Sequence, residues 1–186
     1  GHHRLMCGDS ISIDDVDRLM DGKEATMLFT DPPYNVAFNG RSGNFDVIKN
    51  DDLSVDEFSD FINSFISIMS TLNISNYYIC CNWAFYGLLQ LKLKPKACIV
   101  WAKNVFGLGI GYRHQHEFIL FNGNIKKSIK NESDLWSISR DTNYKHPTQK
   151  PVALSKRAIE NTTNKGALVL DLFGGSGSTL IAAEKS

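Results

Sequence analysis

Short continuous apolar runs alternate along the chain with segments of helical spacing. Leu5-Met-Cys7 predicts a brief strand ending at Gly8-Asp9. Ser12 is placed to cap a helix through Met20, with Ile13, Val16, Leu19 and Met20 on one side. Thr26 to Thr30 predicts a buried strand that runs directly into Asp31-Pro-Pro-Tyr34, where two prolines stop regular structure. Ser54 and Glu57 form a capping box. The helix behind them carries Val55, Phe58, Phe61, Ile62, Phe65, Ile66, Met69 and Leu72 as a core-facing stripe.

The second half repeats the alternation. It predicts a strand at 76–81, a helix at 83–93, a strand at 97–101, a glycine-containing loop to Tyr112, and strands at 117–121 and 135–138. Pro151 opens a helix that runs to about Thr163, Ala167 to Leu170 is a strand, and a last helix follows the turn at 171–177. The pattern implies an α/β three-layer sandwich with a mostly parallel sheet covered on both faces. Ligands of such sheets sit at the carboxyl ends of the strands.

Two stretches stand apart, the first without any periodic pattern. Residues 35–52 are rich in Asn, Gly and Asp and are expected to be a mobile active-site loop. Residues 122–145 are polar and basic. The whole chain, 186 residues and 42% hydrophobic, has the size of one domain with a sizeable core. It opens Gly1-His2-His3 without Met and stops at Ser186 inside a helical pattern, so it is expected to be a piece of a longer protein, cut at both ends. No apolar run approaches the roughly 18 residues of a membrane span, and no signal peptide opens the chain; a cytoplasmic protein is expected.

The zero net charge hides an asymmetry. Residues 1–93 carry six basic and thirteen acidic side chains, whereas residues 94–186 carry fourteen and seven. A polyanionic partner fits the basic half, although charge alone favours a harmless asymmetry of solvated faces. None of the four cysteines forms a C-x-x-C pair, and reduced, buried thiols are expected, with Cys80 and Cys81 on opposite faces of a strand.

Two turns carry chemistry. Gly174-Gly-Ser-Gly177 follows a strand and opens a helix, where backbone can approach a ligand without Cβ obstruction. Ser178 stands where a Walker loop needs Lys, and Leu180 where a dinucleotide fingerprint needs its third glycine. What remains is D-x-F-x-G-x-G from Asp171, Phe173, Gly175 and Gly177, which resembles the cofactor loop of S-adenosylmethionine-dependent methyltransferases. Asp31-Pro-Pro-Tyr34 is the sharper signal, because a fully apolar strand places Asp31 at the rim of the core.

Both turns together, in this order, with Cys7-Gly-Asp9, His116-Glu117 and His146-Pro-Thr-Gln-Lys-Pro151, resemble the β subgroup of amino-methylating DNA methyltransferases. The resemblance implies a Rossmann-like fold with circularly permuted motif order. It implies methyl transfer from S-adenosylmethionine to adenine N6 in double-stranded DNA, with cytosine N4 or a non-catalytic DNA-binding module as alternatives. The implied catalytic residues are Asp31, Pro32, Pro33 and Tyr34: the Asp31 carboxylate and the Pro32 carbonyl accept the amine's two N–H bonds, and Tyr34 stacks on the base. The implied cofactor residues are Asp9, Thr148, Lys150, Asp171, Phe173, Gly174, Gly175, Ser176, Gly177, Ser178 and Thr179. Asp9 takes the adenine amine, Phe173 packs on the adenosine, and His146 is an even choice between function and an ordinary turn. Residues 122–145 form a short basic segment where the family carries a full target-recognition region, and Lys126, Lys127, Lys130, Arg140 and Lys145 are candidate phosphate contacts. A homodimer and a restriction nuclease are possible partners of such enzymes. No metal is implied, so His114, His116 and Glu117 are expected to support the structure.

Overall fold

The computed structural model describes residues 3–36, 50–107, 111–129, 131–140 and 149–186. Six strands form one sheet: β1 (Met27–Thr30), β2 (Tyr77–Cys81), β3 (Ala97–Ala102), β4 (His116–Asn122), β5 (Leu135–Ser137) and β6 (Val169–Leu170). Their order across the sheet is β5-β3-β4-β2-β1-β6. β1 pairs in parallel with β2 and with β6, and β3 in parallel with β5. β4 runs against both of its neighbours, β2 and β3.

Five helices cover the two faces. On one side α1 (Ile13–Met20), α2 (Val55–Thr71) and α3 (Trp83–Leu93) pack on Leu28, Tyr77, Ile79, Cys81 and Leu120. On the other, α4 (Val152–Thr162) and α5 (Ser178–Glu184) meet Met27, Phe29, Tyr78, Cys80, Ile119, Trp101 and Trp136. Alternation along each strand feeds two cores, which is why the strands read as unbroken apolar runs. The expected three-layer sandwich is observed, and Cys80 and Cys81 separate into its two layers as alternation requires.

Local chemistry sets the helix ends. The Ser12 side chain accepts the Asp15 amide. The Ser54–Glu57 capping box closes in both directions. Asn82 caps α3 by accepting the Phe85 amide.

Four expectations change. Leu5–Cys7 is not a strand: Leu5 is exposed, and among the described residues no strand offers the segment a hydrogen-bonding ladder. Val55 is exposed in the first turn of α2, and Ile68, further along, is the buried member of the stripe instead. β6 is two residues long, although the Leu168 carbonyl extends its ladder by accepting the Thr26 amide. All four cysteines are free, but Cys7 is exposed because the segment carrying it is not packed into either core. Most of the 35–52 segment lies outside the described residues.

Candidate active site

The parallel strands β1 and β6 lie side by side, so their carboxyl ends deliver Asp31 and Asp171 to one edge of the sheet. A cleft of about 430 Å³ opens there, within the range of small-molecule sites. Its walls include Gly8, Asp9 and Ser10 from the segment before α1, Asp31 to Tyr34 from the turn after β1, and Gln149-Lys150. Asp171 to Ser176, with Ser178 and Thr179, complete it. The structure thus brings the acidic turn and the glycine turn into a single cavity. Of the expected cofactor residues, Gly177 is not part of the wall; it caps α5 from the left-handed region, φ 80°. Thr148 and His146 lie outside the described residues.

A direct tie joins the two turns. The hydroxyl of Thr30, fully buried at the end of β1, donates to Asp171 Oδ1 at 2.9 Å. Asp171 Oδ1 also accepts the Phe173 amide at 3.1 Å. Burial raises the Asp171 carboxyl, opposed by hydrogen bonds from Thr179, the Phe173 amide and Thr30. The Phe173 ring rests on Phe61 and Phe65 of α2, with centroids 5.9 and 5.8 Å away. Asp9 sits across the cleft; its amide donates to Asp15 Oδ2 and its Oδ1 accepts the Ile11 amide.

The acidic turn is braced from below. Buried Asp51 accepts the Tyr34 amide at 3.1 Å, and the Asn35 side chain bonds both the amide and the carbonyl of Leu53. Asn35 itself takes φ 54°, a conformation Asn tolerates better than most residues.

The electrostatic centre is a cluster of two carboxylates and two ammonium groups. Lys150 Nζ donates to Asp31 Oδ2 at 2.7 Å and lies 3.1 Å from Glu117 Oε2. The Tyr34 hydroxyl donates to Asp31 Oδ1 at 2.5 Å and lies 3.3 Å from Glu117 Oε2. Lys103 Nζ donates to Glu117 Oε1 at 2.5 Å. Asp31 keeps 26% of its side chain exposed toward the cleft, whereas Lys150 keeps 7%.

Burial is the largest influence on Asp31 and pushes its carboxyl above the usual range; Lys150 opposes this and Glu117 reinforces it. Burial also pushes Glu117 upward, but Lys150 and Lys103 outweigh it and hold that carboxyl at about 2. Burial works against the Lys150 charge, and Asp31 and Glu117 outweigh it, so the ammonium is held well above its ordinary value. The Tyr34 phenol and the Cys80 thiol are both pushed up by burial beside Asp31, which keeps them protonated.

Lys150 lines the cleft just ahead of α4, and its ammonium faces the Asp31 carboxylate. Sequence reasoning missed Asp51 and Lys103 and gave Glu117 only a supporting part.

The basic residues separate. Arg140 follows β5 at the active edge, where its amide donates to Asn104 Oδ1. Lys126 and Lys127 follow β4 and lie at the opposite edge, where the Lys126 amide donates to the Asn161 carbonyl at the far end of α4. The reversed direction of β4 causes this, because its carboxyl end is at the amino end of its neighbours. Lys130 and Lys145 lie outside the described residues. Among the described residues no cluster of three or more metal-ligating side chains is present. No described helix is long and apolar enough to cross a membrane.

Comparisons with known proteins follow this geometry. The family described as DNA methylase (N6_N4_Mtase) matches residues 25–186. The Escherichia coli K12 protein YubD is 31% identical over 175 residues, covering 89% of this chain and 74% of YubD. Among solved structures, the complex of M1.HpyAVI with SAM superposes with a TM-score of 0.68 at 24% identity, over 98% of this chain and 88% of that one. PvuII DNA methyltransferase (cytosine-N4-specific) gives 0.72 at 16% identity, over 100% and 79%. These last two likenesses establish the α/β methyltransferase fold. The family match over nearly the whole sequence, with the likeness to YubD beside it, places the chain in the family of N6 and N4 DNA methylases.

Proposed function

We propose that this chain transfers a methyl group from S-adenosylmethionine to the exocyclic N6 amine of a flipped-out adenine in DNA. The observation that carries this reading is the shared cleft: the Asp31 turn and the glycine turn line one cavity and are tied by Thr30 to Asp171. The donor set suits the cofactor. Asp9 supplies a carboxylate for an adenine amine, and Phe173 supplies an aromatic edge. Gly174, Gly175 and Ser176 present backbone with little side chain in the way. Bound in the cleft, S-adenosylmethionine supplies a methyl group already made electrophilic by its sulfonium.

The chain's own residues then have one main task. An exocyclic amine is a poor nucleophile, because its lone pair is delocalised into the ring. Two acceptors on its two N–H bonds hold the amine so that the lone pair faces the methyl group. Asp31 and the Pro32 carbonyl are the acceptors, and both hydrogen bonds strengthen as positive charge develops on nitrogen. Pro32 and Pro33 fix the backbone, so the carbonyl needs little reorganisation. Tyr34 lines the same cavity and offers a ring face to the base. Flipping the base out of the duplex costs a few kcal/mol.

The rim of the active edge suits a nucleic acid. Trp83 is 61% exposed and its ring lies 5.8 Å from that of His114. Phe106 is 60% exposed with the Arg113 guanidinium 5.6 Å from its ring centre. Exposed aromatics beside cations are a stacking surface for bases and a landing site for phosphates. Arg140 joins them, whereas Lys126 and Lys127 face another edge.

The test is transfer of labelled methyl from S-adenosylmethionine to duplexes in which one strand offers only adenine or only cytosine amines. Label in adenine alone is the expected result. Label in cytosine alone moves the reaction to N4, and label in neither leaves a DNA-binding module.

A further inference from the structure

We propose that Glu117 is a positioning residue that frees one oxygen of Asp31 for the substrate amine by receiving the Tyr34 hydroxyl and sharing Lys150. This inference rests on the methyl-transfer reading above. Asp31 has two oxygens, and in this structure both have donors: Oδ1 takes Tyr34 and Oδ2 takes Lys150. Each oxygen keeps a second lone pair, but an amine that shares Oδ1 with Tyr34 competes with a 2.5 Å bond and gains less from that oxygen as charge develops on nitrogen.

Lys150 cannot be the donor that leaves. Its side chain is 7% exposed, and removing it from Asp31 would leave two buried carboxylates sharing less positive charge. The Tyr34 hydroxyl can leave, because a second acceptor is already in range. Glu117 Oε2 stands 3.3 Å from that hydroxyl and 3.1 Å from Lys150 Nζ. The two carboxylates therefore share the same two donors. A small rotation of Tyr34 exchanges one acceptor for the other, and no buried hydroxyl is left unsatisfied. Lys103, on the remaining oxygen of Glu117, completes the balance of two negative and two positive charges.

Glu117 does not line the cleft, so it acts through Tyr34 and Lys150 and not on the substrate. The charged and titratable groups facing Asp31 are Lys150 ahead of α4, Glu117 on β4, Tyr34 in the same turn, Cys80 and Cys81 on β2, and Asp171 after β6. Lys103 reaches it through Glu117.

The experiment uses the full-length protein and reads the Asp31 carboxyl directly by 13C NMR titration, assigned with Asp31→Asn. Glu117→Gln removes a negative neighbour, so Asp31 ionises at lower pH. Lys103→Met leaves Glu117 to draw harder on Lys150, so Asp31 ionises at higher pH. Opposite shifts support the proposal; an unmoved midpoint in both variants overturns it. If Glu117→Gln does not fold, the Lys103→Met midpoint decides alone.

Single-turnover transfer supplies the second reading. Glu117→Gln is expected to slow the step about tenfold with cofactor and DNA affinities within about twofold, and its acid limb moves down with Asp31. In a Tyr34→Phe background, which has no hydroxyl to move, the same substitution costs much less. Equal losses in both backgrounds overturn the role assigned to Tyr34. A wild-type protein that transfers no methyl group refutes the reading of function instead, and the NMR midpoints still decide the coupling.

Discussion

The acidic turn and the glycine turn sit in one cleft but are built on opposite principles. The acidic turn works through side chains: Asp31, Tyr34, Lys150, Glu117 and Lys103 form a buried network in which each charge has a partner. The glycine turn works through its backbone. Gly175 and Gly177 take φ 48° and 80°; Gly174, Gly175 and Ser176 line the wall with little side chain, and Gly177 caps α5 behind them. One region is defined by which groups are charged, the other by which conformations are allowed. A substitution in the first should therefore change chemistry, and a substitution in the second should change binding.

Asp31→Ala is the largest expected break in that division. It removes an acceptor that strengthens in the transition state, so the methyl-transfer rate should fall about a thousandfold or more. Cofactor affinity, measured by calorimetry, should remain near the wild-type value. A collapse of affinity would mean that the two turns do not divide their work in this way.

Gly177→Val tests the other side. A β-branched residue at φ 80° costs about 1–2 kcal/mol or more in backbone strain, and cofactor binding should weaken about tenfold. The rate at saturating cofactor should stay close to wild type. Thr30→Val is the smallest and the most revealing of the three. It keeps the shape of a fully buried side chain and removes the hydroxyl that ties β1 to Asp171. Denaturant unfolding should show a loss of about 1–2 kcal/mol, with both rate and cofactor affinity falling by small factors, because this bond belongs to both turns.

Local rules carried most of the fold. The caps at Ser12 and Ser54 and the apolar runs of β1, β2 and β4 are short-range signals, and the structure contains them. Leu5–Cys7 misled because an apolar triplet says nothing about whether a neighbouring strand exists. Val55 misled because helical spacing does not say where along its length a helix meets the sheet. The site was legible in the same measure. Asp31 and the glycine turn announce themselves by motif, whereas Asp51, Lys103 and the position of Lys150 depend on contacts between distant segments. Lys126 and Lys127 illustrate the limit most simply: their charge is visible in the sequence, but the edge they occupy follows from the direction of β4, which no local pattern encodes.

That backward strand bears on tolerance to change. A forward strand sends its last residues to the working edge, so its successor loop must both build the pocket and lead the chain away. β4 instead sends its first residues there, with Glu117 hydrogen-bond-registered opposite Trp101 before the chain descends out of reach. The connector from β3 is tied near the two strands, the Lys103 amide to the Gln115 carbonyl and the Gly107 amide to the His114 carbonyl, so a change farther out should leave that register and the charge cluster beneath it in place.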